Sequence, residues 1–439
     1  MSSVCIDGFN LALSHGTGIA TYGRNLLTNL KAVGLGAEIL YGPEAPLGDN
    51  QTVNEALAAD IRRPPQKLNR KGRSVRMRRT LTTRFGRQAR QIGPSGDVIW
   101  PGLGEGQRPA DRLWAASSLF TLANRSMKLY GAPTPVRFAK TPDVPGPDVM
   151  HWTAPLPLHA KGMPNVYTFH DLIPLRLPYV TTDEKQTFMA LCREVARRAD
   201  HICVVSETTR RDVERILNVH PDRITNTYQA VSIPSEFTSR NDAEVQVELE
   251  RTFNLPWKDY FLHFGAIEPK KNLGRIVQAY LASGSTKPLV LIGREAWLHE
   301  GETAVLRQVE RDGGSARELI RQYDYMPQSL LLTLIRGARA TLFPSLYEGF
   351  GLPVLESMAL STAVLTSTAG SLPEVAGDAA VLVDPYDIPA MTRAIRALAA
   401  DDDLCGDLVE RGRAQAARFT SEAYQDRLTT LYAKVGVSP

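Results

Sequence analysis

Short, mostly apolar runs bounded by Gly or Pro, each followed by a stretch of helical periodicity, recur along the chain and restrict its fold more than any other feature. Val4 to Ile6, Ile39 to Tyr41, Asp148 to Trp152, Asn165 to Phe169, His201 to Val205 and Arg223 to Tyr228 form one series. Tyr260 to Gly265, Pro288 to Gly293, Ala340 to Phe343, Ala363 to Thr366 and Ala380 to Val383 form a second. Runs this short read as buried strands, and strands alternating with helices pair in parallel through crossover connections. The pattern weakens between about 42 and 146, where Pro-rich and basic pieces alternate with one predicted helix, Ala110 to Leu129.

A chain of 439 residues exceeds one typical core. The predicted architecture is therefore α/β, with two tandem Rossmann-like domains facing across a cleft. Residues 1–235 form the first, carrying an insertion over about 42–146, and residues 251–420 the second. A helix over 421–439 is expected to pack back on the first domain. Ligands of open parallel sheets bind at the carboxyl ends of the strands, so the loops that leave those ends are where chemistry is expected.

Composition narrows the class. No apolar stretch approaches the roughly twenty residues of a membrane span, and the first residues lack the basic region, apolar run and cleavage site of an export signal. A soluble, cytoplasmic protein is expected. Cys5, Cys192, Cys203 and Cys405 show no CxxC pairing, so buried free thiols are expected rather than a metal site or a disulfide framework. Between Ile61 and Arg90 there are twelve Lys or Arg and no acid, whereas the whole chain carries a formal charge of only +4. The rest of the chain therefore sums to −8. Such a segment suits an anionic membrane surface, a polyphosphate substrate or nucleic acid, and is also compatible with a solvated insertion.

Tyr347-Glu348-Gly349-Phe350-Gly351-Leu352-Pro353-Val354-Leu355-Glu356 joins the end of one strand to a helix that opens near Pro353. Glu348 falls in the loop and Glu356 on the predicted first helical turn. Gly349 and Gly351 let backbone N–H groups approach a ligand, although an ordinary capped turn has the same ingredients. Gly265-Ala266-Ile267-Glu268-Pro269-Lys270-Lys271-Asn272 repeats the strand-to-helix geometry with two lysines, cations able to neutralise a diphosphate as charge develops on oxygen. Gly293-Arg294 offers a forked contact to phosphate. Thr168-Phe169-His170-Asp171 places His170 on the opposite wall, where it can hold a sugar hydroxyl, relay a proton or serve structure alone. Gly16 and Gly18 open the first helix, but G-x-G-x-x-G is not completed, which argues against a nicotinamide dehydrogenase.

Together these stretches resemble the retaining GT-B glycosyltransferases of family 4, which include many bacterial mannosyltransferases of polysaccharide assembly. The resemblance is carried by Phe343 to Ala359, with seven residues between Glu348 and Glu356, and by Gly265 to Asn272. Ser371-Leu372-Pro373-Glu374-Val375-Ala376-Gly377, Gly18 to Tyr22, Thr168 to Leu172 and Val205-Ser206-Glu207 support it. It covers most of the chain outside 42–146. It implies that Glu356 binds the nucleotide ribose, that Glu348 and the Gly349-Phe350-Gly351-Leu352 backbone approach the donor sugar, and that Lys271, rather than Lys270, meets the diphosphate with Arg294. His170 would hold the donor sugar. In the front-face reaction usually drawn for this family the departing phosphate takes the acceptor proton, so neither a protein base nor a metal is implied. Ala266 stands where some members carry arginine, and Lys270 replaces the commoner arginine.

The expectation is a hexosyltransferase, with GDP-mannose as first donor and a lipid-linked or surface polysaccharide acceptor, working without cofactor or nucleic acid. The basic segment 61–90 is expected to dock it on an anionic membrane. UDP- or dTDP-sugar donors, a sugar-nucleotide epimerase and a non-catalytic nucleotide-fold binding protein are the alternatives.

Overall fold

The computed structural model describes residues 2–11, 18–60, 70–100, 103–104, 107–142 and 144–438. Gly16 and residues 61–69 of the basic segment lie outside this set.

The first domain supplies β1 (Ser3–Asp7), β2 (Gly36–Tyr41), β3 (Arg87–Ile92), β4 (Arg112–Ala115) and β5 (Thr134–Phe138). It continues with β6 (Val149–Trp152), β7 (Leu158–Ala160), β8 (Asn165–Phe169), β9 (His201–Val204) and β10 (Ile224–Asn226). Among the described residues these make a ten-stranded sheet in the order β10-β9-β8-β6-β1-β2-β4-β3-β5-β7. Its pairs are parallel except β3 with β4. The second domain supplies β11 (Phe261–Phe264), β12 (Leu289–Ile292), β13 (Ile320–Tyr323), β14 (Ala340–Phe343), β15 (Ala363–Ser367) and β16 (Val381–Val383). They form an all-parallel sheet in the order β13-β12-β11-β14-β15-β16. The central strands β1, β8, β11 and β14 are buried along their whole length, as expected of parallel strands covered on both faces.

The C-terminal helix, Ser421–Ala433, crosses back to the first domain. Gln425 donates to Asn29 Oδ1 at 2.9 Å on the helix Gly18–Ala32. Tyr432 Oη lies 2.6 Å from His151 Nδ1, His151 Nε2 lies 2.7 Å from Thr168 Oγ1, and Thr168 Oγ1 lies 2.9 Å from Tyr22 Oη. Burial pushes His151 down to about 3, so its neutral ring has one donor and one acceptor nitrogen for two hydroxyls.

Two readings of the sequence are corrected. The stretch Ala110 to Leu129 is not one helix: it is β4 followed, after a left-handed Ser118 (φ 52°), by the helix Leu119–Tyr130. Trp114 Nε1 and Arg112 Nη2 both reach the buried Glu38 on β2, at 2.5 Å each, and this tertiary pairing overrides the local helical pattern. Residues 42–146 accordingly contribute β3, β4 and β5 and widen the sheet instead of forming an appended insertion. The polar stretch between the two strand series is also structured. Its helix Asp242–Phe253 lays Val245 and Leu249 against the second domain, close enough that a side chain at Gly337 would strike Leu249. The cysteines are free, three buried and Cys405 half-buried.

Candidate active site

The loops leaving β11, β12, β14 and β15 in the second domain, and β8 and β9 in the first, meet in one region. After β14, the chain turns through Glu348 and Gly349 to Gly351, whose φ of 122° is a conformation that L side chains rarely adopt. The helix that follows spans Leu352–Ala359. It opens one residue before Pro353, so Glu356 begins its second turn.

Glu348 and Lys271 form the centre. Lys271 Nζ lies 2.6 Å from Glu348 Oε1, and each side chain is 13% exposed. Burial alone would raise the Glu348 carboxyl, but the charges of Lys271 and Lys270 and the hydrogen bond from Lys271 hold it below the usual carboxylate range. Lys270 turns to Glu268 at 3.3 Å. Burial opposes the Lys270 ammonium, and the surrounding Glu348, Glu268 and Asp171 carboxylates more than restore it. The lysines are placed by Asn272, in the left-handed region at φ 64°, whose amide donates to the carbonyls of Pro344 (2.9 Å) and Pro385 (2.7 Å). Asn272 thereby ties the lysine loop to the Glu348 loop.

Glu356 has a different environment. Its carboxyl is half-buried, makes no hydrogen bond among the described residues, and is pushed by desolvation up to about 7. Arg294, just beyond β12, is exposed and lays its guanidinium over the Tyr325 ring at 5.4 Å. Phe350 turns its ring inward, 5.7 Å from Phe419 and 6.3 Å from Tyr228. The Phe350 ring is therefore packed inside the protein.

The opposite wall is His170, which follows β8. Its Nε2 lies 2.9 Å from the Thr153 carbonyl, and its ring meets Tyr22 edge to face at 4.8 Å. Burial lowers its pKa, which leaves a neutral ring donating from Nε2. The two walls touch here: a Cβ on Gly349 would lie 2.1 Å from the His170 carbonyl oxygen. Gly18 is the first residue of its helix.

Further contacts close the domains upon each other. Glu374 accepts from the backbone N–H groups of Glu207 (2.7 Å) and Thr208 (3.1 Å), at the start of the first-domain helix Glu207–Leu217. Tyr347 donates to Asp212 on that helix, and Tyr179 and Tyr386 join hydroxyls at 2.8 Å. The sequence reading quoted Glu374 and Glu207 within motifs but gave neither a role. The signal was present in Ser206-Glu207, an N-cap signature, but its partner is 167 residues away.

Residues 250–415 match the family described as glycosyl transferases group 1, and residues 97–233 match glycosyltransferase family 4. The O-antigen chain mannosyltransferase B of Escherichia coli is 36% identical over 263 residues, 58% of this chain and 67% of the relative. The serotype-specific mannosyltransferase WbdA of the same organism is 29% identical over 276 residues, 61% of this chain but only 33% of WbdA. Among solved structures, sucrose-phosphate synthase from Thermosynechococcus elongatus superposes with a TM-score of 0.67 at 16% identity, covering 99% of both chains. Anabaena HepE in complex with UDP and glucose gives 0.65 at 12% identity, covering 99% of this chain and 100% of HepE. With one all-parallel sheet, a second parallel but for the β3–β4 pair, a C-terminal helix returning to the first domain, and both halves matched, the chain belongs to glycosyltransferase family 4 and has the GT-B fold.

Proposed function

We propose that the chain transfers a mannosyl residue from GDP-mannose, with retention of configuration, to a lipid-linked or surface polysaccharide acceptor. The observation that carries this reading is the Lys271–Glu348 pair at 2.6 Å, with Glu356, which makes no hydrogen bond among the described residues, on the helix that follows the Glu348 loop. The mannosyl group and the polysaccharide acceptor rest on the O-antigen mannosyltransferase relatives, and GDP as its carrier on the family resemblance.

In this reading Glu356 accepts hydrogen bonds from the ribose hydroxyls, a task an isolated carboxylate performs better than contact with a diphosphate. Lys271 has three N–H donors and gives one to Glu348, so the others are available to the β-phosphate. Arg294 adds a forked contact. As the glycosidic bond to phosphate breaks, negative charge grows on the leaving oxygen and positive charge on the sugar. Lys271 and the exposed Arg294 stabilise the first and the ionised, largely buried Glu348 the second. The leaving phosphate takes the acceptor hydroxyl's proton on the same face. His170, neutral and with its Nε2–H held by the Thr153 carbonyl, accepts from a hydroxyl of the donor sugar at Nδ1. Because the cations do the charge compensation, no metal is assigned, and turnover is expected to persist in a chelator.

The acceptor is assigned to the first-domain side of the cleft, and the cationic helix Arg70–Thr83 of that domain to an anionic membrane surface. Among the described residues no helix is long and apolar enough to cross a membrane.

The test is turnover with GDP-mannose, UDP-glucose and a dTDP-sugar, followed by the anomeric configuration of the product. Release of GDP with an α-linked product is expected. Turnover of a UDP-sugar alone would overturn the donor, and a β-linked product from the α-linked donor would overturn retention.

A further inference from the structure

We propose that the cavity at the base of the second domain, remote from the donor cleft, is a binding site for a small oxyanion of the phosphate class. The cavity holds about 360 Å³. Its floor comes from residues that precede β11, β14 and β15, and its other side from the helix Asp402–Ala416. Lys271 and Glu348 follow the opposite ends of these strands. Four residues at a rise of about 3.3 Å put roughly 13 Å of sheet between the two places.

The lining carries four cations, Lys258, Arg336, Arg339 and Arg413, against two carboxylates, Asp242 and Asp402. The two signs are distributed unequally. Arg339 is only 9% exposed and the Arg336 side chain 16%, whereas the side chains of their partners Asp402 and Asp242 are 87% and 65% exposed. Exposed carboxylates are screened by water while the buried guanidiniums are not, so the interior of the cavity is electropositive. Arg339 Nε donates to the Leu398 carbonyl, whereas its Nη2, 2.7 Å from Asp402 Oδ1, makes no aligned hydrogen bond among the described residues. That is an orphaned donor on a nearly buried cation.

Lys258 and Arg413 converge on one residue. Lys258 Nζ donates to the Ser361 carbonyl at 2.8 Å, and Arg413 Nε donates to Ser361 Oγ at 2.8 Å. Both Lys258 (φ 54°) and Ser361 (φ 60°) hold the left-handed conformation, which non-glycine residues rarely adopt. Burial pulls the Lys258 ammonium down to about 7. An anion between these groups would accept from the orphaned donor and restore the charge on Lys258. The volume admits inorganic phosphate or a sugar phosphate.

The experiment is a melting-temperature titration with inorganic phosphate, with mannose 1-phosphate in a second arm, at constant ionic strength set by NaCl. It is run with and without GDP filling the donor cleft, on the native chain and on the double variant Lys258→Met, Arg413→Gln. The native chain should gain several degrees at saturating phosphate in both conditions. The double variant should lose that gain and keep its response to GDP, which also reports that it is folded. A stronger rise with mannose 1-phosphate identifies a sugar phosphate as the ligand. A phosphate response that GDP abolishes, that persists in the double variant, or that NaCl reproduces would overturn the site.

Discussion

Lys271 Nζ and Glu348 Oε1 are 2.6 Å apart in a site that leaves each side chain 13% exposed, although 77 residues separate them in the chain. Removing the lysine leaves a shielded carboxylate with Lys270 as its remaining cation, and truncating one member of a buried pair costs several kcal/mol when nothing replaces it. Lys271→Ala should therefore cost about 2 kcal/mol in a denaturant melt, with Lys270 moderating the loss. Turnover should fall at least about 100-fold, since the same ammonium compensates the leaving diphosphate. Glu348→Gln leaves the shielded Lys271 and Lys270 ammoniums without this counter-charge, so it should also lower the melt, and it should lose turnover. Full activity in both variants would sink the assignment.

Glu356 links stability to pH. Its carboxyl titrates near 7 when folded and near 4.5 otherwise, so the folded state holds the proton between those values and the unfolded state does not. Folding stability should fall as pH rises through this window, and the penalty is complete above about 7. Two and a half pH units set an upper bound of about 3 kcal/mol, reduced by the solvent that reaches this half-buried group. Glu356→Gln should melt higher than the native chain at pH 8 and nearly equal it at pH 4.5. The same variant should lose the stabilisation given by GDP. A melt that shows no such crossover with pH would refute the argument.

The central strands were legible because burial on both faces makes them runs of Val, Ile, Leu and Phe, and the loops at their carboxyl ends carried the candidate residues. β13 was not read. Its Ile320-Arg321-Gln322-Tyr323 lies at the sheet edge, half-exposed, with the mixed character that water permits there. β4 was hidden because Leu113 and Trp114 fit a helical stripe as well as a strand, and only Glu38 on a neighbouring strand decides between them. The Glu348 loop announced its acids and glycines. The choice of Lys271 over Lys270 as the diphosphate cation came from the resemblance, and the pairing of Lys271 with Glu348 was not read, since adjacent lysines on a short turn point apart and Asn272's two carbonyl partners fix which way. Glu374 was illegible as a clasp because a helix cap supplied by another domain leaves no local pattern.

That clasp yields the next prediction. Glu374 satisfies two of the orphan N–H groups at the start of the helix Glu207–Leu217, where the helix dipole favours an anion. Both bonds join the domains, so they exist only while the domains are together. Glu374→Gln should weaken closure by about 1 kcal/mol without unfolding either domain. Small-angle scattering should show a larger radius of gyration in the nucleotide-free variant, and KM for the donor should rise more than kcat falls. Unchanged scattering together with unchanged KM would show that the contact does not govern closure.

The cationic face of the first domain also carries apolar side chains. Met77, Leu81 and Phe85 are spaced four residues apart and are 55%, 42% and 65% exposed, and Leu129 on the adjoining helix is 50% exposed. Arg84 lies over the Phe85 ring at 4.6 Å, and no acid occurs between Ile61 and Arg90. Exposed apolar groups set among arginines suit the boundary between anionic headgroups and acyl chains, where cations meet phosphate and the apolar groups leave water. Burying Leu81 and Phe85 in that boundary would contribute about 1.5 to 3 kcal/mol each if complete. Leu81→Ser with Phe85→Ser should therefore lower partitioning onto phosphatidylcholine vesicles containing phosphatidylglycerol at least about tenfold. Arg84→Glu with Arg78→Glu should do so more strongly at low salt than at high, because only the charge contribution is screened. Sedimentation with vesicles reads both effects. Native binding that is equal on neutral and anionic vesicles, or unchanged in both double variants, would remove the membrane from the acceptor side of the cleft.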